Sequence, residues 1–307
     1  MFPSSVSTSD RPGRGIAFMM LAVLVLASMD ALIKYLAAYY PVPQIVFFRA
    51  IVATLVVVLV FVPRHGWVVL RAVNPMGHAW RWMTGFIALM CFFYSFALLP
   101  LADAYTLGFA APLIMTALSV PLLGEKVGWR RWTAIALGFA GVLVVMQPGA
   151  GMFGWAALLP VVAAGFYALA LIAIRKLSAT ETNAAIVFYF GLASAVAAGA
   201  IDTIVPGLWV APDLTGLALL CAVGLLGALG QLAITEAFRA APVSVLGPFD
   251  YSGLLFAVLY GWLFWNEIPG WALLYGAPLI VASGLYILYR ETRLALKSRS
   301  APLTPPD

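Results

Sequence analysis

Two short stretches set the reading of this chain. Residues 123–129 run Leu123-Gly124-Glu125-Lys126-Val127-Gly128-Trp129, and residues 265–271 run Trp265-Asn266-Glu267-Ile268-Pro269-Gly270-Trp271. Each places a glutamate, then Gly-Trp three positions on, in a polar gap between long apolar runs. The interval from Glu125 to Glu267 is close to half the chain. A fainter echo follows, Gly141-Val142-Leu143-Val144 against Gly284-Leu285-Tyr286-Ile287. The chain therefore reads as two units of similar plan, residues 15–150 and 154–290.

The runs around these gaps identify the solvent. Apolar residues make up 64% of the 307 residues and charged residues 9%, against about 45–50% and about 25% in soluble domains. A water-soluble fold of this length has no interior large enough for so much apolar surface. Crossing about 30 Å of hydrocarbon takes roughly 20 apolar residues in a helix. Runs of that kind fall at 15–38, 44–63, 78–99, 103–123, 130–147, 154–175, 183–203, 214–237, 243–265 and 270–290. Turn formers such as Pro41-Val42-Pro43 and Gln147-Pro148-Gly149 join them. The first run is read as a span and not a cleaved leader: it holds Asp30 and Lys34, lacks a small-x-small cleavage site and has a counterpart in the second half. Residues 1–14 and 291–307 are polar, basic or proline-rich and read as disordered cytoplasmic tails.

Charge placement supplies the orientation. Fifteen of the 17 Lys and Arg residues fall on one side of a ten-span arrangement. They include Arg11 and Arg14; Arg64, Arg71 and Arg81; Lys126, Arg130 and Arg131; Arg175 and Lys176; Arg239; and the group after residue 289. By the positive-inside rule both termini lie in the cytoplasm, of the cell inner membrane. The dispersal of these charges along the chain excludes a nucleic-acid surface. Five spans per unit is an odd number, so the second unit must cross in the opposite sense. The expected fold class is an all-α polytopic membrane protein with ten transmembrane helices arranged as two inverted five-helix repeats, a plan common in secondary transporters.

Ionisable groups within the bilayer cost about 2.5–3.5 kcal/mol each on insertion scales, so they face a partner or a cavity. Asp30 and Lys34 stand four apart and share a helix face. They either neutralise one another or line the pathway. Arg49, early in the second run, can pair with Asp30 or attract an anionic group on a solute. Asp250 follows Pro248 and has no basic neighbour in its own run; it is a candidate to bind a cationic or amine group or to take up a coupling proton. Tyr94, Tyr167 and Tyr251 lie away from run ends, and each carries a hydroxyl that requires a partner. Glu236, beside Arg239, reads as half of a local interfacial pair, and Glu125 and Glu267 as caps or loop anchors. Seven tryptophans near run ends (Trp67, Trp80, Trp129, Trp132, Trp155, Trp209, Trp271) read as an interfacial belt. Gly224, Gly227 and Gly230 form a close-packing seam, within one chain or between two copies; monomer and homodimer stay open.

The ten runs, Lys34, Arg49, the Ala102-Asp103-Ala104 start of the fourth run and Gly124-Glu125 together resemble the drug/metabolite transporter superfamily, with two EamA-type domains over about residues 15–290. Pro248-Phe249-Asp250-Tyr251 is similar to members linked to uptake of riboflavin-like and S-adenosylmethionine-like metabolites. One departure is Asn266 where the pattern has Gly. The resemblance implies a solute site between the halves, lined by spans 1, 3, 4, 6, 8 and 9, with no catalytic residue and no cofactor. The residues agree: there is no Walker phosphate loop, HExxH pair, metal cluster or GxSxG elbow. Cys91 and Cys221, deep in apolar runs, show no ligand spacing. The expected function is secondary transport of a small organic metabolite, with membrane lipid as the surroundings. An exporter of amino acids or related metabolites is the alternative within the class. A lipid-handling or enzymatic membrane protein is the alternative outside it.

Overall fold

The computed structural model describes residues 12–123, 128–147, 155–205, 207–241 and 243–299. Among these the secondary structure is helical throughout: α1 (Pro12–Leu36), α2 (Val42–His65), α3 (Pro75–Leu98), α4 (Leu101–Gly108), α5 (Ala111–Leu123), α6 (Trp129–Met146), α7 (Leu158–Leu177), α8 (Asn183–Ile204), α9 (Leu214–Ala240), α10 (Val243–Asp250), α11 (Gly253–Trp265) and α12 (Trp271–Arg299). Two short 3₁₀ turns, Trp67–Leu70 and Trp155–Ala157, precede α3 and α7.

Local chemistry sets the ends. Asn74 accepts from the Gly77 amide at 2.9 Å, Thr182 from Ala185 at 3.0 Å and Asp213 from Gly216 at 2.7 Å, capping α3, α8 and α9. Asn266 ends α11 at φ 55°. After glycine, asparagine is the residue that most readily takes this left-handed position, which accounts for its standing where the repeat has Gly124. Gly124 and Glu125 themselves lie outside the described residues. Two expected boundaries move. Helix α1 already begins at Pro12, and α12 continues to Arg299 because Leu294, Ala295, Leu296 and Lys297 are good helix formers.

Among the described residues nine helices are long and apolar enough to cross a membrane, counting 101–118 as one. The protein is a polytopic membrane protein. The remaining expected run, 243–265, is divided into α10 and α11, of eight and thirteen residues, so neither piece alone has the length. The α4–α5 span is divided in the same way. Its break is local: Pro112 lacks an N–H and crowds the carbonyl of Gly108, and Ala110 instead donates to Leu107 at 3.1 Å. At the second break Ser252 donates through its amide to Phe249 at 3.1 Å and through its hydroxyl to the same carbonyl at 2.6 Å. The two breaks, at Phe109 and Tyr251, are separated by the same interval as Glu125 and Glu267 (251 − 109 = 267 − 125).

The main helix pairs cross between the two halves: α1 with α9, α3 with α7, α2 with α8 and α6 with α12. Small residues permit the close approach. A Cβ on Gly230 would strike Leu26, and one on Gly224 would strike Val52, so the glycine seam of α9 is used within the chain, against α1 and α2. Gly141 meets Gly276 so closely that a Cβ on either would lie 2.8 Å from the other's carbonyl oxygen. The largest apolar core joins Ile33, Leu36, Ile45, Val46, Phe93, Leu101, Leu220 and Ala257.

Two polar clasps hold opposite ends of the bundle. At the end where α1 gives way to α2, here the upper end, the Gln44 side chain donates to Val210 O at 2.7 Å and accepts from Val210 N at 3.1 Å. At the lower end Glu181, between α7 and α8, accepts from the amides of Val73 and Asn74 at 2.7 and 2.6 Å, and Thr182 donates to Val69 O at 2.6 Å.

Candidate functional site

The upper mouth is closed by charge. Lys34 on α1 lies 2.7 Å from Glu267 Oε1 and donates to Leu99 O, while Glu267 Oε2 accepts from Leu101 N at 3.0 Å. The Lys34 ammonium also stands 5.4 Å from the Trp265 ring centroid. A single lysine thereby joins α1, the α3–α4 corner and the α11–α12 turn. This corrects the pairing of Lys34 with Asp30: the lysine side chain runs up to Glu267 and is only 9% exposed. Glu267 is a loop anchor, as expected, with this added partner.

Freed of Lys34, Asp30 accepts a 2.6 Å hydrogen bond from the Tyr105 hydroxyl on α4. Arg49 on α2 is within electrostatic reach of Asp30 but does not ion-pair with it; its guanidinium lies 5.7 Å from the Phe93 ring centroid. Nearby, Ser28 and Tyr260 share a 2.7 Å hydrogen bond between α1 and α11.

Below this layer the two span breaks meet. The rings of Phe109 and Tyr251 lie 4.8 Å apart, and Tyr105 continues the series at 6.3 Å from Phe109. Asp250, the residue before the second break, is exposed although Tyr105, Tyr167 and Tyr251 are all within its electrostatic reach. Its charge reaches hydroxyls on α4 and α7, so this carboxylate stands where the two halves of the chain face one another. No hydrogen bond or ion pair reaches Asp250 from the described residues. Tyr167 is 45% exposed and packs edge-on to Phe92 at 6.4 Å.

Two placements differ from the sequence reading. Arg81, counted there among loop cations, is in the second turn of α3 and stacks on Phe190 of α8, 4.2 Å from the ring centroid. Its Nε and Nη1 atoms are buried without a hydrogen-bond partner. Tyr167 lies within its electrostatic reach. Tyr94 belongs to the exposed stripe Met76, Trp80, Met83, Tyr94 and Leu98, spaced at helical intervals on the face opposite Arg81 and Phe92; it looks outward, away from those two residues. The seven belt tryptophans are all exposed. Of the expected residues, Asp30, Arg49, Tyr167, Asp250 and Tyr251 gather at the centre, Lys34 stands above them and Tyr94 is elsewhere.

A groove of about 510 Å³ between α2 and α8, lined by Phe47, Val196, Gly199, Thr203 and Trp209, carries no ionisable group. It opens on the side of the bundle and suits lipid chains better than a polar solute.

Residues 13–147 match the EamA-like transporter family. A pseudopaline exporter, CntI of Pseudomonas aeruginosa (strain UCBPP-PA14), is 31% identical over 274 residues, covering 88% of this chain and 94% of the exporter. This chain belongs to the EamA-like transporter family, within the drug/metabolite transporter superfamily. Another relative, an S-adenosylmethionine uptake transporter of Rickettsia bellii (strain RML369-C), is 28% identical over 92% of this chain and 96% of its own length. A solved crystal structure with 19% identity superposes with a TM-score of 0.63 over 92% of this chain and 99% of its own, so the helical fold itself is shared. One of these relatives is an exporter and another an uptake transporter, and this protein is likewise a transporter of small metabolites.

Proposed function

We propose that the chain moves its small organic metabolite by alternating access around the crevice at Asp250. The single observation that carries this reading is an exposed, unpartnered carboxylate where the two broken spans meet, beneath a mouth shut by the Lys34–Glu267 pair. Broken helices whose ends surround a mid-membrane site are the usual architecture of secondary transporters. Two inverted five-helix repeats, 15–150 and 154–290, are supported by four features. These are the interval shared by the breaks and the glutamate motifs, the helix pairs that cross between halves, the Gln44 clasp at one end and the Glu181 clasp at the other.

In this reading the upper end faces the periplasm of a bacterial-type inner membrane and both termini face the cytoplasm. Exposed Arg14, Arg64, Arg71, Arg130 and Lys176 all lie at the lower end, as the positive-inside rule requires of a cytoplasmic face. The structure is then the outward-closed state. Opening would exchange the Lys34–Glu267 contacts for water at the upper end while the lower end closes. The driving force is a coupled proton, an exchanged solute or the solute's own gradient; nothing in the chain would harness ATP directly.

Uptake and efflux of a labelled metabolite panel, in cells expressing the chain or its Asp250→Asn variant, test the reading. Movement of at least one solute that Asp250→Asn reduces tenfold or more is the expected result. Wild-type rates in the variant for every transported solute would remove Asp250 from the site.

A further inference from the structure

The interval between the two glutamate motifs (267 − 125 = 142 residues) carries the helices of the first half onto those of the second without a gap. Helix α4 falls on α10 and α5 on α11, end for end; α6 and α12 begin, and α3 and α9 end, at matching positions. The same step takes Lys34 to Lys176. The chain has only four lysines, Lys34, Lys126, Lys176 and Lys297, so the match does not come from a lysine-rich sequence.

The carbonyl that holds Lys34 has its own counterpart. Lys34 donates to Leu99 O, at the corner between α3 and α4. Leu99 is extended, at φ −119° and ψ 160°, and its amide closes on Ser95 O at 2.9 Å. One interval on, Ala241 ends α9 in the same way, at φ −151° and ψ 154°, with its amide on Ala237 O at 3.0 Å. Proline follows in both places, Pro100 and Pro242, and the residue before a proline is driven to extended backbone. A carbonyl at the end of a helix has no intrahelical donor, so each corner offers an acceptor to a lysine.

The two ends differ in what is joined. At the upper end α1 packs on α3 and α4 on α11. The matching lower pairs, α7 with α9 and α10 with α5, make no comparable contact among the described residues. Lys34 is largely buried and bonded, whereas Lys176 is exposed and has no ion pair among the described residues.

We propose that Lys176 is the latch of the lower end: when the upper mouth opens, α7 closes on α9, α10 closes on α5, and the Lys176 ammonium takes the Ala241 carbonyl as Lys34 now takes that of Leu99. This rests on the alternating-access reading and supplies the contact that shuts the lower end. One latch forms as the other breaks, so the two states stay close in free energy. They are not equal. Trp265, beside Lys34, has Leu123 at its place in the repeat. A tryptophan ring attracts an ammonium and leucine does not, so the upper latch is the stronger and the outward-closed state the resting one.

The test uses the full chain in right-side-out membrane vesicles, with Cys91→Ala, Cys221→Ala and one cysteine at Ala102, in the small cleft beside Glu267. Labelling by a membrane-impermeant maleimide reports an open upper mouth. Glu267→Gln breaks the upper latch and should raise labelling several-fold. Adding Lys176→Gln should bring it back down, and adding Lys176→Arg, which keeps a donor, should leave it raised. A lysine that served only the local fold would not change reactivity at the opposite mouth. As a second measurement, cysteines at Ala179 and Ala240, near Lys176 and the Ala241 corner, should be joined by a short bis-maleimide several-fold faster in Glu267→Gln than without it. That gain should vanish with Lys176→Gln. Labelling of the Glu267→Gln chain that ignores Lys176→Gln, or a cross-linking rate that ignores Glu267→Gln, overturns the latch and leaves the alternating-access reading intact. Unchanged labelling in Glu267→Gln itself would mean that packing closes the upper end, and the lower latch inferred from it falls too. The alternating-access reading fails on different grounds, the absence of any transported solute from the metabolite panel.

Discussion

Phe109 and Tyr251, one in each half of the chain, place their rings 4.8 Å from one another at an interplanar angle of 45°. Each marks the break between two consecutive short helices, so these two breaks touch at an aromatic contact. Tilted pairs of this kind add about 0.5–1.5 kcal/mol beyond the area they bury. A double-mutant cycle with Phe109→Leu and Tyr251→Leu, read by unfolding midpoint in detergent, should return coupling in that range. Additive effects would mean that the breaks are independent.

The Lys34–Glu267 pair should act as a latch. Glu267→Gln removes the ion pair but keeps the Leu101 amide bonded, so the fold survives and the upper mouth loosens. With a cysteine at Ala102, which lines the small cleft beside Glu267, labelling by a membrane-impermeant maleimide should rise several-fold. The exchange Lys34→Glu with Glu267→Lys should bring labelling back down. Unchanged labelling in Glu267→Gln would show that packing alone closes this end.

Tyr105→Phe isolates the upper carboxylate. It deletes the hydroxyl that donates to Asp30 and leaves the ring against Phe96 and Phe109. A lost hydrogen bond to a charged group costs about 1.5–3 kcal/mol, enough to lower transport roughly tenfold or more if Asp30 must stay fixed. The pH profile of transport should move with it. A variant with wild-type rate and profile would make this bond dispensable.

Glu181 governs the lower clasp. Burial works to raise its pKa, but the Val73 and Asn74 amides and His78 hold it below the ordinary glutamate value. A carboxylate depressed on folding contributes stability above its unfolded value, near 4.3, and that contribution is lost as pH falls through the lower folded value. Thermal midpoints of the wild type and Glu181→Gln should therefore differ at neutral pH and converge in acid below about pH 4. At neutral pH the substitution should cost on the order of 1–3 kcal/mol.

The α6–α12 seam has no spare room. Gly141→Val puts two methyl groups where a Cβ would already lie 2.8 Å from Gly276 O. Overpacking of this kind costs about 1–3 kcal/mol, so the variant should unfold several degrees earlier. Gly165, with no atom within 4 Å of its Cβ position, provides the tolerant control as Gly165→Ala.

Much of the architecture was legible because lipid imposes a coarse rule: a membrane-length apolar run, then a turn. Asp30, Arg49 and Asp250 announced themselves as charges where charge is expensive. Arg81 did not, because it falls close to the start of the third apolar run and tallied naturally with the loop cations. The signal was in the face: Met76, Trp80, Met83, Tyr94 and Leu98 repeat at helical spacing, and Arg81 is on the opposite side. The same arithmetic would have turned Tyr94 outward. Lys34 misled for a different reason. Its neighbour Asp30 is one helical turn away, whereas Glu267 belongs to the far half of the chain, and no local rule reaches so far. The second break was hidden as well, since Pro248 comes before it and the turn at Tyr251 owes as much to the Ser252 hydroxyl.

The crossing of helix pairs between halves has a consequence for synthesis. Helix α1 finds its main partner in α9 and α3 finds its own in α7, so the earliest segments to leave the ribosome must wait for some of the latest. Until then Arg81 lacks the Phe190 ring of α8 that covers it, and the nascent first half is left holding an awkward charge in oil. Shortening the delay, by supplying the second half as a separate chain made beforehand, should ease the burden on insertion chaperones and raise the yield of assembled protein.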